Sequence, residues 1–133
     1  MSQANVGVVT SVYEAFGKGD VPAVLAAMDP GIEWLEAENF PYADRSPYVG
    51  PTAVLEGVFA RLGSEWEYFK VVREEVFDAG DTVISRGRYD AVYKKTGSKI
   101  SAQFVHLWTL RDGKILKFQQ CTDTLQVAKA IGG

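Results

Sequence analysis

The stretch FVHLWTLRDGKILKFQQCTD, residues 104–123, decides the fold. Apolar and polar residues alternate, break at Asp112-Gly113 and resume, which is the pattern of a β-hairpin. The stretch also holds the chain's only histidine, His106, set among aromatic residues. Strands that carry polar groups beside large rings are more often pocket walls than plain core. Register decides which residues share the pocket face, because a slip of one residue turns every side chain over. A two-residue loop at Asp112-Gly113 puts Lys117 and Gln119 beside Phe104 and Trp108, mixing charge into the apolar face. A three-residue loop, Arg111-Asp112-Gly113, uses Gly113 in the left-handed conformation as a bulge. It aligns Ala102, Phe104, His106 and Trp108 with Leu116, Phe118, Gln120 and Thr122, and it separates polar from apolar better. This second register is the predicted one.

The preceding hairpin agrees with it. A two-residue turn at Thr96-Gly97 adds Gly87, Tyr89 and Ala91 to the same apolar face and sends Arg86, Arg88 and Asp90 outward. The outer face also receives Val105, Leu107 and Ile115, apolar surface suited to a homodimer through the sheet. Strands are predicted at about 66–77, 82–93, 99–110 and 114–122, separated by Ala79-Gly80-Asp81, Thr96-Gly97 and Asp112-Gly113. The first half reads as helices. Val9, Val12, Tyr13 and Phe16 form one stripe between Asn5 and Lys18. Gly17 and Gly19 stop that helix, and Asp20 caps a short one with Pro22 in its first turn. Asp29-Pro30-Gly31 reads as a turn before a short strand, Ile32 to Glu36, on which Trp34 and Glu36 share a side. An irregular loop from Ala37 to Val49 carries Phe40, Tyr42 and Tyr48; loops of this length tend to be lids or binding segments. A third helix opens at Gly50-Pro51-Thr52, with Val54, Leu55, Val58, Phe59 and Leu62 inward. Helices followed by a strand meander imply an α+β domain, with helices on one face of an antiparallel sheet.

Composition narrows the function classes. The chain has 133 residues, 47% hydrophobic and 23% charged, with a net charge of −3. That fits a single domain, residues 1–133, large enough for a real core. The mild negative charge, spread in both signs, argues against nucleic-acid binding, which needs a basic face. No apolar run approaches the roughly 18 residues of a spanning helix, and no basic signal-like flank precedes the first helix, so no membrane association and a cytoplasmic location are expected. A lone cysteine, Cys121, excludes an internal disulfide, and one histidine with scattered carboxylates offers no metal site.

The segments GKGD between two helices, MDPGIEW, YVGPTAV, FVHLWTLRDGKI and QQCTDT occur in one order along nearly the whole chain. In them the sequence resembles the nuclear transport factor 2-like superfamily, in its SnoaL-like, ketosteroid-isomerase-related branch. The resemblance implies a cone of curved antiparallel sheet around three helices, an internal apolar pocket and, often, a dimer through the sheet. It spans isomerases, cyclases, dehydratases, epoxide hydrolases and members without catalysis. Against ketosteroid isomerase, Glu36 falls at the base carboxylate and His106 at the protonated aspartic acid. The isomerase's helix-1 tyrosine falls near Val12, with Tyr13 one residue off and on another face. Against limonene-type epoxide hydrolases, Glu33-Trp34-Leu35-Glu36 resembles the water-positioning run, but Gln120 stands at the water-activating aspartate. Their Arg-x-Asp pair is echoed by Arg88-Tyr89-Asp90, whose charges the register turns outward. Epoxide hydrolysis is therefore disfavoured.

The candidate catalytic residues are Glu36, His106 and Gln120. His106 alone titrates near neutrality when unperturbed; its plain alternative is a satisfied core or interface residue. Glu36 becomes a base if buried against Trp34, or else stays a solvated carboxylate at the mouth of the loop. Gln120 can orient a ligand carbonyl or simply bond His106. Trp34, Tyr89, Phe104, Trp108, Phe118, Thr122 and Tyr48 are the candidate substrate-binding residues, with Tyr42 and Tyr48 able to close over a ligand or lie as surface turn residues. Asp123, followed by Gln126, reads as the N-cap of a C-terminal helix. Cys121 faces away from the pocket. The leading expectation is a cofactor-independent proton-transfer enzyme, isomerase- or cyclase-like, acting on a small apolar carbonyl compound. A non-catalytic small-molecule binder and a dimeric interaction module are the rivals.

Overall fold

The computed structural model describes residues 2–132. Helix α1 (Ser2–Gly17) buries Val9 and Val12 and turns Tyr13 and Phe16 partly inward. It stops at Gly19, whose φ of 73° suits a residue without Cβ. Asp20 then caps α2 (Val21–Ala26), its Oδ1 accepting the Ala23 N–H at 3.2 Å. Strand β1 is longer than expected: it runs from Met28 to Leu35, through Asp29-Pro30-Gly31. The pairing register shifts between Met28 and Glu33, so the sheet accepts the Pro-Gly segment as an irregularity rather than ending at it.

The sheet has six strands in the order β2-β1-β6-β5-β4-β3, comprising also β2 (Tyr48–Val49), β3 (Trp66–Ala79), β4 (Thr82–Tyr93), β5 (Lys99–Arg111) and β6 (Lys114–Thr122). The architecture is the expected α+β arrangement of a curved sheet and helices, with one difference. β1 runs parallel to β6, so the sheet is mixed, its other pairs being antiparallel. Period-two patterning reports which face a residue takes and not which strand lies beside it, so this pairing left no local trace.

Both hairpins reach the expected faces by a different route. Arg111 pairs with Lys114, so the last loop is Asp112-Gly113, with φ of 52° and 77°. The extra residue sits within β6 instead, where Thr109 pairs with Lys117 but Leu110 with Ile115. Beyond this bulge the inward faces are as expected, but the partners lie two residues further along than a three-residue loop sets them: Trp108 opposite Phe118, His106 opposite Gln120, Phe104 opposite Thr122. Within it the faces exchange: Ile115, expected outside, is fully buried, and Leu116, expected inside, is half-buried. In the β4–β5 hairpin the Tyr93 N–H reaches the Ser98 carbonyl, so the loop is longer than Thr96-Gly97. The pairing moves by two residues, an even number, and Gly87, Tyr89 and Ala91 stay inward.

Residues 37–49 are neither lid nor surface loop. They contain a 3-10 turn, Pro41–Arg45, and β2, with Phe40, Tyr42 and Tyr48 buried. Tyr48 donates to the Tyr42 carbonyl at 2.5 Å, Tyr42 donates to Glu65 and accepts from Trp66 Nε1, and Arg61 grips Asp44 with two nitrogens. These bonds tie the segment to the helical stretch of 51–65, made of α3 (Pro51–Val54), a π turn at Leu55–Phe59 and α4 (Ala60–Glu65). The Tyr48 ring lies where a Cβ on Gly57 would stand, 2.1 Å away, so the π turn needs glycine there. Helix α5 (Thr124–Gly132) packs Val127 and Ala130 inward, and Asp123 accepts from both the backbone and the side chain of Gln126 as the expected cap. The core fills the space between the inner sheet face and the helices.

Candidate functional site

The cavity lies where β1, β4, β5 and β6 face α1 and the π turn. It measures about 60 Å³. Because Trp34 and Glu36 are two apart along the chain, both point inward, and Trp34 Nε1 donates to Glu36 Oε2 at 3.0 Å. Glu36 is 6% exposed. Burial pushes its carboxyl up to about 8, with the Trp34 N–H pulling the other way.

A connected chain of polar groups begins beside Glu36, at the Ala37 N–H, which donates to Gln120 Oε1 at 3.1 Å. Gln120 Nε2 donates to Tyr89 Oη at 2.9 Å, and that hydroxyl meets His106 Nε2 at 2.5 Å. His106 Nδ1 meets Tyr13 Oη at 2.6 Å; Tyr13 Oη meets Ser85 Oγ at 2.5 Å, which also accepts from Trp108 Nε1 at 3.0 Å. Burial pulls the His106 imidazole down to about 3, so it is neutral at physiological pH. Burial likewise pushes the Tyr13 hydroxyl up to about 12, against the Ser85 hydrogen bond, and raises Tyr89 well above its ordinary value. These tyrosines therefore give hydrogen bonds and keep their protons.

Glu36, His106, Gln120, Trp34, Tyr89, Trp108 and Phe118 all line this one cavity. Three other expected residues do not. Phe104 lies behind the imidazole, stacked on it at a centroid distance of 4.0 Å. Thr122 spends its hydroxyl on the Gln103 carbonyl at 2.7 Å, at the strand end. Tyr48 belongs to the loop clamp described above. Cys121 is exposed, as expected. Two residues missing from the expected set belong to the site. Tyr13, placed on another face by analogy with the isomerase, lines the cavity and bonds His106; its position four residues after Val9 on the apolar stripe was the available signal. Ser85 has the same parity as Gly87 and Tyr89, and a small hydroxyl at an inward strand position marks a polar partner inside. Among the described residues no cluster of His, Cys, Asp or Glu is arranged to hold a metal ion, and no helix is long and apolar enough to cross a membrane.

A profile of the SnoaL-like domain matches residues 9–118. No curated protein sequence matches the chain. Among solved structures, an NTF2-like protein from Burkholderia thailandensis E264 is 39% identical, with a TM-score of 0.90 over 95% of this chain and 95% of that one. TerC, co-crystallised with polyporic acid, is 24% identical, with a TM-score of 0.86 over 98% of this chain and 99% of that one. A protein with a ketosteroid isomerase-like fold from Catenulispora acidiphila DSM 44928, in complex with trimethylamine, is 18% identical, with a TM-score of 0.78 over 94% and 92%. The last two likenesses concern the fold alone. With a family match over most of its length, and a 39% identical relative covering 95% of it, the chain belongs to the SnoaL-like family of the nuclear transport factor 2-like superfamily.

Proposed function

We propose that this protein is a cofactor-independent enzyme that moves a proton on a small, largely apolar carbonyl compound. The observation that carries the reading is the meeting, in one apolar cavity, of a buried carboxyl with a raised pKa and a chain of hydroxyl and imidazole groups. Ionised Glu36 takes the proton next to the carbonyl. The C–H electron pair becomes a carbon–carbon double bond, and the carbonyl oxygen takes up the negative charge. A tyrosine hydroxyl lining the same cavity stabilises that oxygen. Returning the proton to a different carbon completes an isomerisation, whereas attack by the enolate carbon on a second carbonyl closes a ring. His106 acts differently from the sequence expectation. Both of its nitrogens are held by tyrosines, so it orients the hydroxyls and does not itself reach the ligand. With a water needing roughly 10–15 Å³, the cavity of about 60 Å³ suits a compact molecule of a few water-sized positions.

Proton abstraction can be read without knowing the natural substrate. Cyclopentanone and cyclohexenone in deuterated buffer should lose α-protons faster with the protein present, by proton NMR, and the rate should climb as pH rises through about 8, where Glu36 ionises. One observation favours a plain binding protein: among the described residues, every buried side-chain nitrogen and oxygen already has a hydrogen-bond partner. A ketone that perturbs the cavity tryptophans yet exchanges no faster than in buffer would establish that rival.

For assembly, the reading is a homodimer through the outer sheet face, supported by Val72, Phe77 and Val105, which are 45%, 46% and 37% exposed there. Light scattering should give twice the 14.6 kDa chain mass. A monomer at micromolar concentration would count against it.

A further inference from the structure

The cavity has a recognisable mouth. Every lining residue from β1, β4, β5 and β6 is buried, and only Tyr13, Phe16, Leu62, Phe69 and Val71 are half-exposed. The opening therefore lies between α1, α4 and β3. Arg73 continues the inward parity of Phe69 and Val71 along β3 and stands opposite Gly87, which has no side chain to cover it. Its guanidinium carbon lies 5.8 Å from the centre of the Tyr13 ring, a cation–π distance. That ring is itself part of the mouth, so the charge sits on the rim. It is also felt inside: burial raises the pKa of the Tyr13 hydroxyl, and the Arg73 charge opposes that rise.

Arg73 is half-exposed, and among the described residues its guanidinium makes no hydrogen bond and no ion pair. The neighbouring cations are spent or turned away. Arg61 grips Asp44, Arg86 holds Glu74 and Glu75, and Lys70 lies over Tyr68 on the outer face of β3. One unspent planar fork beside an apolar opening matches a carboxylate, which it can grip with two parallel hydrogen bonds. A single positive charge also suits one negative charge better than the two of a phosphate. The carboxylate has reason to stop at the rim. Beyond it the walls are mostly apolar, and Glu36 carries the same charge when ionised.

We propose that Arg73 holds the carboxylate of a small oxo acid at the mouth of the cavity, so that the apolar, carbonyl-bearing end of the ligand enters first. The carbonyl in this inference rests on the proton-transfer reading; the carboxylate does not. Arg73 is thereby a specificity-determining residue, setting which ligands dock and which end faces Glu36.

Levulinate and methyl levulinate differ only in that carboxylate. Each is titrated at pH 7 into ¹⁵N-labelled protein, with the indole N–H signals of Trp34 and Trp108, which line the cavity, reporting occupancy. Levulinate should bind about 10-fold more tightly than the ester, a usual gain for one charge-assisted contact. Arg73→Gln should remove that preference and leave the affinity for the ester unchanged. Arg86→Gln, which removes an outward charge of the same kind, should leave the preference intact. Levulinate binding no tighter than the ester, including no binding of either, overturns the inference, and so does a preference that survives in Arg73→Gln. Should that variant not fold, the wild-type Arg73 Nε–H signal decides: it must move with levulinate and stay with the ester. Arg73-dependent levulinate binding without α-proton exchange upholds the inference and defeats only the enzymatic reading. Exchange of cyclopentanone without a carboxylate preference does the reverse.

Discussion

Glu36→Gln is expected to slow α-proton exchange by about 10²–10⁴-fold, the usual contribution of a general base, and to make the protein more stable in alkaline solution. Glutamine keeps the shape of the side chain and can still accept from Trp34 Nε1, so the fold should survive. What it lacks is a group that must choose between charge and burial. The Glu36 carboxyl ionises near 4.5 in an unfolded chain and near 8 in the folded one. Between those values the folded state holds a proton that the unfolded state releases, so stability falls as pH rises and the loss is complete above about 8. His106 has the opposite sign. Its folded pKa of about 3 lies below the ordinary 6.5, so the unfolded state binds the extra proton and stability falls as pH drops through that window. The two slopes oppose each other between 4.5 and 6.5, giving a plateau with a falling limb on each side. Glu36→Gln should abolish the alkaline limb and turn the plateau into a rise, because the His106 slope is then unopposed between 4.5 and 6.5; at pH 9 the gain over the wild type should be roughly 3–5 kcal/mol. Urea denaturation at pH 5.5, 7 and 9 checks this. An alkaline limb that persists in the variant would mean Glu36 is not the buried acid, and an unchanged exchange rate would remove it from the chemistry.

What the sequence revealed and what it concealed divide along a physical line. The inward faces of β4, β5 and β6 were legible because alternation survives errors of two residues, as at Thr96-Gly97, and because an extra residue anywhere in the last hairpin restores the same parity upstream. Where that residue sits was not legible. Gly113 and Leu116 both solve the parity problem, and only the backbone showed that Leu116 does, which is why Ile115 was misplaced. The pairing of β1 beside β6, and the burial of Tyr42 and Tyr48 against the 51–65 stretch, depend on distant partners that no local pattern encodes. For the site, Glu36, His106 and Gln120 were placed on the face that lines the cavity through the alternation of their strands, which Glu36 continues one residue past β1. Tyr13 was lost because analogy set its helix rotation, while the stripe of Val9 and Phe16 pointed it inward. Thr122 had the right parity, but at the strand end its hydroxyl turns to the Gln103 carbonyl.

The second large effect concerns the curvature that makes the cavity. Gly87→Ala should destabilise the protein by about 2–4 kcal/mol, since overpacking against a fixed neighbour usually costs about 1–3 and occasionally more. A Cβ on Gly87 would stand 1.9 Å from the Val72 carbonyl oxygen and 3.0 Å from the Arg73 Cα. Both are backbone atoms of β3, so no rotamer change relieves the clash. The contact sits beside the register shift between Arg73 and Glu75, where β3 bends across the inner face of β4. Pushing β3 away there displaces Val71 and Phe69, which line the cavity, and strains Tyr89 two residues along β4. At this chain length the melting temperature should fall by about 10 °C, and ketone exchange should fall with it even at temperatures where the variant is folded. Gly63→Ala is the matched comparison. It lies in α4, with nothing within 4 Å of its added Cβ, and alanine there should stabilise by about 0.5–1 kcal/mol through helix propensity. Substitutions of the same chemical size thus carry opposite signs, and calorimetry separates them. If both variants melt together, the close approach of β3 to β4 is not what shapes the cavity wall.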